Sequence, residues 1–195
     1  MTPDAALTEL LDGNRRFVAG EAIHPNQDAA RRSEVAGAQA PFAVVFGCSD
    51  SRLAAEIIFD RGLGDLFVVR TAGHAIGREV LGSIEYAVTV LETPLVAVLG
   101  HNSCGAVTAA RDAETGAAPS GNVAAIVEAL APSVRLAAER GLHEVDEIVD
   151  VHIAETVARL QTDSEAIAGA VAEGRCTVVG LSYDLADGTA HLLSS

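Results

Sequence analysis

Residues 42–52 read Phe42-Ala43-Val44-Val45-Phe46-Gly47-Cys48-Ser49-Asp50-Ser51-Arg52, and residues 95–104 read Leu95-Val96-Ala97-Val98-Leu99-Gly100-His101-Asn102-Ser103-Cys104. Each segment opens with an apolar, β-branched run closed by a glycine. Runs of this kind read as strands buried on both faces, the pattern of a parallel sheet. Their ends then present Cys48, His101 and Cys104 to one crevice, where open α/β sheets bind ligands. Two cysteines and a histidine make a three-ligand set for zinc that keeps a fourth position open, the catalytic rather than the structural pattern. Asp50 and Arg52 follow the first cysteine and place an acid and a permanent cation beside it.

Working outward, Ala54 to Phe59 predicts a short helix and Leu66-Phe67-Val68-Val69 the next strand. A loop over Thr71 to Gly77, a helix to about Leu91 and a helix from Gly105 to Arg111 continue the alternation. The βαβαβα rhythm implies a parallel sheet with right-handed crossovers. Residues 113–121 read as a loop, and 122–173 as helix in pieces divided near Pro132 and Gly141. Val178 to Leu181 and Thr189 to Leu193, joined through Asp187-Gly188, predict a closing hairpin. At the other end Thr2-Pro3-Asp4 is a helix start, with a capping hydroxyl, proline in the first turn and an acid at the positive end of the dipole. Leu7, Leu10, Leu11, Asn14, Phe17 and Val18 recur at helical spacing until Gly20. Residues 21–40 form a polar arm with a short helix near Arg31 to Val35. The expected fold is α/β: a mostly parallel central sheet flanked by helices, with an N-terminal helical arm and an added C-terminal edge strand. Residues 1–195 read as a single domain whose residues 1–40 lie at a dimer interface.

A chain of 195 residues can bury a substantial core. Its net charge of −14 argues against nucleic acid, whose phosphates are bound by Lys and Arg. All 13 basic residues are arginines, which excludes Schiff-base and phosphate-loop lysines. No segment approaches the ~20 apolar residues of a membrane span. The start of the chain lacks the layout of a secretory signal, so the expected location is cytoplasmic. Three cysteines are no disulfide framework, and Cys176 reads as a small buried hydrophobe.

Zinc held by two thiolates and an imidazole is close to neutral, so its water needs a neighbouring acceptor. Asp50 is placed for that role, with Arg52 holding it ionised. The same carboxylate could turn onto the metal and close the fourth position. Cys104-Gly105 lies at a helix start, where free N–H groups receive anions.

The pairing of Cys-x-Asp-x-Arg with His-x-x-Cys resembles the β-class carbonic anhydrases, with the bacterial members nearest. The likeness runs through Gly64-Asp65-Leu66-Phe67-Val68-Val69-Arg70, Ser83-Ile84-Glu85-Tyr86-Ala87-Val88 and Gly100 to Gly105, and covers roughly residues 8 to 190. The resemblance implies reversible hydration of carbon dioxide to bicarbonate and a proton, through zinc-bound hydroxide and an Asp50–Arg52 dyad. It implies one Zn2+ per chain on Cys48, His101 and Cys104, and a homo-oligomer, dimer or tetramer. Gln39, Phe67 and Tyr86 match residues of the family's substrate pocket, completed across a dimer interface, and Gln39 and the Gly105 amide would position the substrate. Arg70 and Tyr183 match two residues of an inhibitory bicarbonate pocket found in some members. Val45 stands where its tryptophan would be.

Other readings stay open on the residues alone. The metal could be purely structural, with Asp50 a permanent fourth ligand. The same site could hydrolyse carbon disulfide or carbonyl sulfide. Cys48 and Cys104 could act as a thiol pair that oxidises on zinc loss. His74 reads as a surface or loop-stabilising residue, and His24, His143, His152 and His191 as surface residues. His152 sits among Glu144, Asp146, Glu147, Asp150 and Glu155, a run expected to face solvent.

Overall fold

In the computed structural model, which describes residues 1–116 and 119–193, the chain opens with helices α1 (Pro3–Ala19) and α2 (Ala29–Glu34). Strand β1 (Ala43–Cys48), helix α3 (Ala55–Ile58) and strand β2 (Leu66–Thr71) follow. A 3₁₀ turn, Ala72–His74, leads to α4 (Arg78–Thr89), β3 (Leu95–His101) and α5 (Gly105–Ala113). Helices α6 (Val123–Glu139), α7 (Val145–Thr162) and α8 (Glu165–Ala172) precede β4 (Thr177–Tyr183) and β5 (Ala190–Leu192). Residues 117 and 118 of the expected 113–121 loop, and 194 and 195 of the expected domain, lie outside the described residues.

The sheet runs β2-β1-β3-β4-β5, parallel except for β5, which closes antiparallel on β4 as the hairpin reading expects. Every residue of β1 and β3 is buried, so both faces of the central strands are covered by helices. That burial explains their unbroken apolar runs, each large side chain contributing about 1.5–3 kcal/mol. The chain passes from β1 to β2 on one side and then crosses to β3 on the other. The order therefore reverses between β1 and β3, and the crevice at such a reversal is where open sheets bind ligands.

Helix α1 begins and ends as its residues foretell: Thr2 accepts from the Ala5 N–H, and Gly20 closes it in the left-handed region at φ 71°. Its inner face buries Ala6, Leu10 and Asn14. The Asn14 amide donates to the carbonyls of Ile58 and Gly188 and accepts from the Ala190 N–H, tying helix to sheet edge.

Two expectations need correction. Pro132 does not divide its helix: α6 runs through it from Val123 to Glu139. The buried stripe Val127, Leu130, Val134 and Ala137 holds both halves to the core. Proline removes one N–H and so one bond of the ladder, and packing outweighs that local loss. The acidic run of α7 does face solvent, with Glu144, Asp146, Glu147 and Asp150 exposed, but His152 does not share that face. Glu144 and Glu147 form a capping box at its start, while Ile148, Val149, His152, Ile153 and Thr156 turn inward.

Candidate metal centre

Cys48 is the last residue of β1, His101 the last of β3, and Cys104 caps α5. Because β1 and β3 are hydrogen-bonded neighbours with Gly47 opposite Leu99, their ends emerge side by side. One ligand atom from each of Cys48, His101 and Cys104 lies within 4.8 Å of the others. All three residues are buried.

His101 supplies the test of whether a metal fits. Its Nδ1 lies 2.8 Å from the Asn102 carbonyl, which can only accept, so in the neutral ring Nδ1 carries the proton. The Nε2 lone pair is then left facing the two sulfurs. That atom is buried and has no hydrogen-bond partner among the described residues. A buried nitrogen lone pair is expensive to leave unsatisfied, and a Lewis acid between it and two thiolates satisfies all three groups. The electrostatics ask for the same thing. Burial opposes charge on His101, yet its contacts with Cys48 outweigh this and raise its pKa overall. Cys48 is held towards thiolate by a hydrogen bond from Cys104, against its own burial, with His101 and the N–H groups of Gly73 and Asp50 helping. Cys104 is correspondingly raised, first by that shared bond with Cys48 and then by burial. The thiolate character of Cys48 and the upward shift of His101 both mark a pocket that favours positive charge. Zinc matches this donor set.

Asp50 stands at the open side. Its Oδ1 accepts from the Arg52 backbone N–H at 2.9 Å and from Arg52 Nε at 2.9 Å, and its Oδ2 from Arg52 Nη2 at 2.8 Å. That bidentate grip holds its carboxyl well below the usual carboxylate range. Oδ2 is 4.0 Å from His101 Nε2. Phe67 on β2 and Tyr86 on α4 face each other with ring centres 6.4 Å apart, Tyr86 being 46 % exposed. Gly105 opens α5, whose first-turn N–H groups lack intrahelical acceptors. Gln39 is exposed on the segment before β1, and its side chain makes no hydrogen bond to the cluster among the described residues.

Several contributors escape a reading of motifs. Arg70 donates to the carbonyls of Cys48 at 2.9 Å and Asp50 at 2.5 Å, clamping the backbone that carries both groups. Gly73 donates its N–H to Cys48 Sγ at 3.3 Å. His152, expected at the surface, and His74, expected at the surface or as a stabiliser of its loop, are both buried with ring centres 4.2 Å apart. The only sequence signal for that turn is Ala72-Gly73-His74 directly after a strand, and nothing in it points to α7.

A parallel α/β sheet with a buried Cys-His-Cys set at its topological switch, and a paired carboxylate beside the open side, defines a metal-binding enzyme of the α/β class. The comparisons carry this further. The carbonic anhydrase family model matches residues 43–190. A carbonic anhydrase of Mycolicibacterium smegmatis is 58% identical over 98% of this chain and 94% of its own length. Carbonic anhydrase 2 of Mycobacterium tuberculosis is 56% identical over 97% of this chain and 92% of its own. Among solved structures, a β-carbonic anhydrase of Coccomyxa, bound to acetazolamide, superposes with TM-score 0.73 at 26% identity, covering 96% of this chain and 86% of that one. One of two tetrameric β-carbonic anhydrases of Sordaria macrospora gives TM-score 0.73 at 25% identity, covering 84% and 86%. The chain belongs to the β-class carbonic anhydrases, of bacterial type.

Proposed function

We propose that this enzyme hydrates carbon dioxide reversibly at one zinc ion per chain held by Cys48, His101 and Cys104, with Asp50 and Arg52 as a catalytic dyad. The observation that carries the reading is the buried, unpartnered His101 Nε2 facing two sulfurs, with a carboxylate oxygen 4.0 Å away. Zinc on this set supplies Lewis-acid activation of water near neutral pH.

The chain's own groups account for the rest. Cys48 and Cys104 as thiolates would offset much of a bound cation's charge, which leaves a role for a protein acceptor at the open side. Asp50, kept ionised by Arg52, would accept a hydrogen bond from a water at the open side and so orient it towards the substrate. Arg52 also keeps the carboxylate from taking the open position itself, since both oxygens are engaged by the guanidinium. Phe67 and Tyr86 offer apolar surface to a nonpolar substrate. The first-turn amide of Gly105 faces the anionic product with the positive end of a helix. Gln39, by its match to the family's pocket, positions the substrate from across a subunit interface.

Exposed Ile23, Ile57, Tyr86 and Val90 support a homo-oligomer, dimer or tetramer, with residues 1–40 at the interface. A cytoplasmic location fits the absence of any described helix long and apolar enough to cross a membrane. Stopped-flow carbon dioxide hydration across roughly pH 6.5 to 9, with metal stoichiometry, tests the reading. The expected result is one zinc per chain and activity that Asp50→Ala removes without loss of metal. Full activity in that variant excludes Asp50 from the mechanism. Zinc without turnover at any of these pH values excludes the hydratase.

A further inference from the structure

The groups behind Cys48 form a chain that the proposed reaction does not use. Gly73 spends both its backbone groups there: the N–H on Cys48 Sγ at 3.3 Å, and the carbonyl on His152 Nε2 at 3.0 Å. A carbonyl only accepts, so Nε2 of His152 carries the proton. Its Nδ1 is then an acceptor, and the Ser133 hydroxyl, 2.8 Å away, donates to it. The order of donation is Ser133 to His152, His152 to the Gly73 carbonyl, and the Gly73 N–H to the sulfur.

The turn needs such a support. Gly73 and His74 both take left-handed backbone angles, φ 61° and 42°, and a non-glycine residue adopts these reluctantly. His74 packs against His152 at 4.2 Å, and its own ring nitrogens make no hydrogen bond among the described residues. His152 therefore supplies the polar anchor that His74 does not. Burial pushes the pKa of His152 down to about 4, so the ring stays neutral at working pH and Ser133 selects its tautomer. Both residues line a groove of about 330 Å³ between α6 and α7.

We infer that His152, set by Ser133, is a positioning residue for the metal site, acting through Gly73 on the Cys48 thiolate. The inference rests on the zinc reading above. A hydrogen bond to a thiolate favours and orients its charged form. It also draws density off the sulfur, leaving more of the cation's charge for the open position. Outer partners of this kind typically change metal affinity by 10–100-fold.

Two replacements of similar bulk separate positioning from packing. His152→Gln keeps an N–H able to reach the Gly73 carbonyl, whereas His152→Phe keeps the ring and loses the donor. Zinc affinity is measured by chelator competition, the pH midpoint of hydration by stopped flow, and the thiolate-to-cobalt charge-transfer band on protein produced with cobalt. His152→Phe is expected to bind zinc about tenfold more weakly, raise the midpoint and move the band to lower energy. His152→Gln is expected to restore all three. A Phe variant matching the parent overturns the inference, as does a Gln variant impaired as much as Phe, which would mean packing alone. Ser133→Ala gives a second reading if the Phe variant fails to fold: a smaller change in the same direction is expected, and none overturns the inference. A parent protein that binds no stoichiometric metal overturns the zinc reading itself, an outcome distinct from all of these.

Discussion

Gly73→Ala is the perturbation whose cost can be worked most directly from the structure. At φ 61° the backbone is in the left-handed region, which costs an L-residue about 1–2 kcal/mol. A Cβ there would stand 2.8 Å from Leu130 Cδ2 and 2.9 Å from Ala106 Cβ, against roughly 3.5–4.0 Å for relaxed carbon contacts. Leu130 is fully buried, so its side chain has no route into solvent. Ala106 Cβ is fixed to the first turn of α5, so it retreats only if the helix moves. Overpacking of this kind costs about 1–3 kcal/mol, and the two effects sum to roughly 2–5 kcal/mol. In a chain of this size each kcal/mol lowers the melting temperature by about 2–4 °C, for a fall of roughly 4–20 °C. The assay is calorimetry at fixed zinc concentration, since anything bound only to the folded state raises the midpoint. Gly20→Ala is the control, because φ is 71° there but nothing lies within 4 Å of the added carbon. It reports the backbone effect alone, about 1–2 kcal/mol. A Gly73→Ala protein that melts no lower than Gly20→Ala refutes the reasoning that the turn is pressed against α5 and α6.

Cys48→Ser and His101→Ala are each expected to purify without zinc and without hydratase activity; metal at the parent's stoichiometry in either shows that the residue is not a ligand. Asp60 is buried against Arg16 Nε at 2.6 Å and the N–H groups of Ile23 and His24, and since Arg16 keeps part of its surface in water, Asp60→Ala should cost about 1–3 kcal/mol in chemical denaturation. Burial opposes its charge, but Arg16 and the two N–H groups outweigh that and lower its pKa. Its contribution is therefore complete above the ordinary carboxylate range and lost as pH falls through the lowered value. His152 acts at milder acidity. Its pKa drops from 6.5 to about 4 in the folded state, so the unfolded chain takes up a proton first and stability declines as pH falls from 6.5 towards 4. The decline amounts to about 3 kcal/mol at most, and His152→Gln should flatten that part of the stability–pH curve; an unchanged slope assigns the loss to other groups.

How much of the site was legible follows from where its parts lie in the chain. Cys48, Asp50 and Arg52 share one strand end, and His101 and Cys104 share another, so local spacing announced both halves. The buried strands were equally plain, because a strand covered on both faces has no polar positions to confuse the pattern. Pro132 misled because propensity is local whereas the stripe it interrupts is held by α5, α7 and the turn at Ala72–His74. His152 misled for the opposite reason. Its neighbours Asp150 and Glu155 are polar, but a helix turns about 100° per residue, and residue 152 faces inward with Val149, Ile153 and Thr156.

The amino-acid sequence by itself determined the strand–helix alternation, the ends of α1, the two halves of the Cys-His-Cys donor set and the acid–guanidinium pair, since each is written in a short local stretch of the chain. Only the tertiary structure decided which strand ends stand together, that Arg70 grips the backbone behind Cys48 and Asp50, and that His152 on α7 reaches Gly73, 79 residues away in sequence. Those contacts are set by how the sheet orders its strands, how α7 packs upon it and how α6 packs on α7. No stretch of the chain encodes that geometry locally.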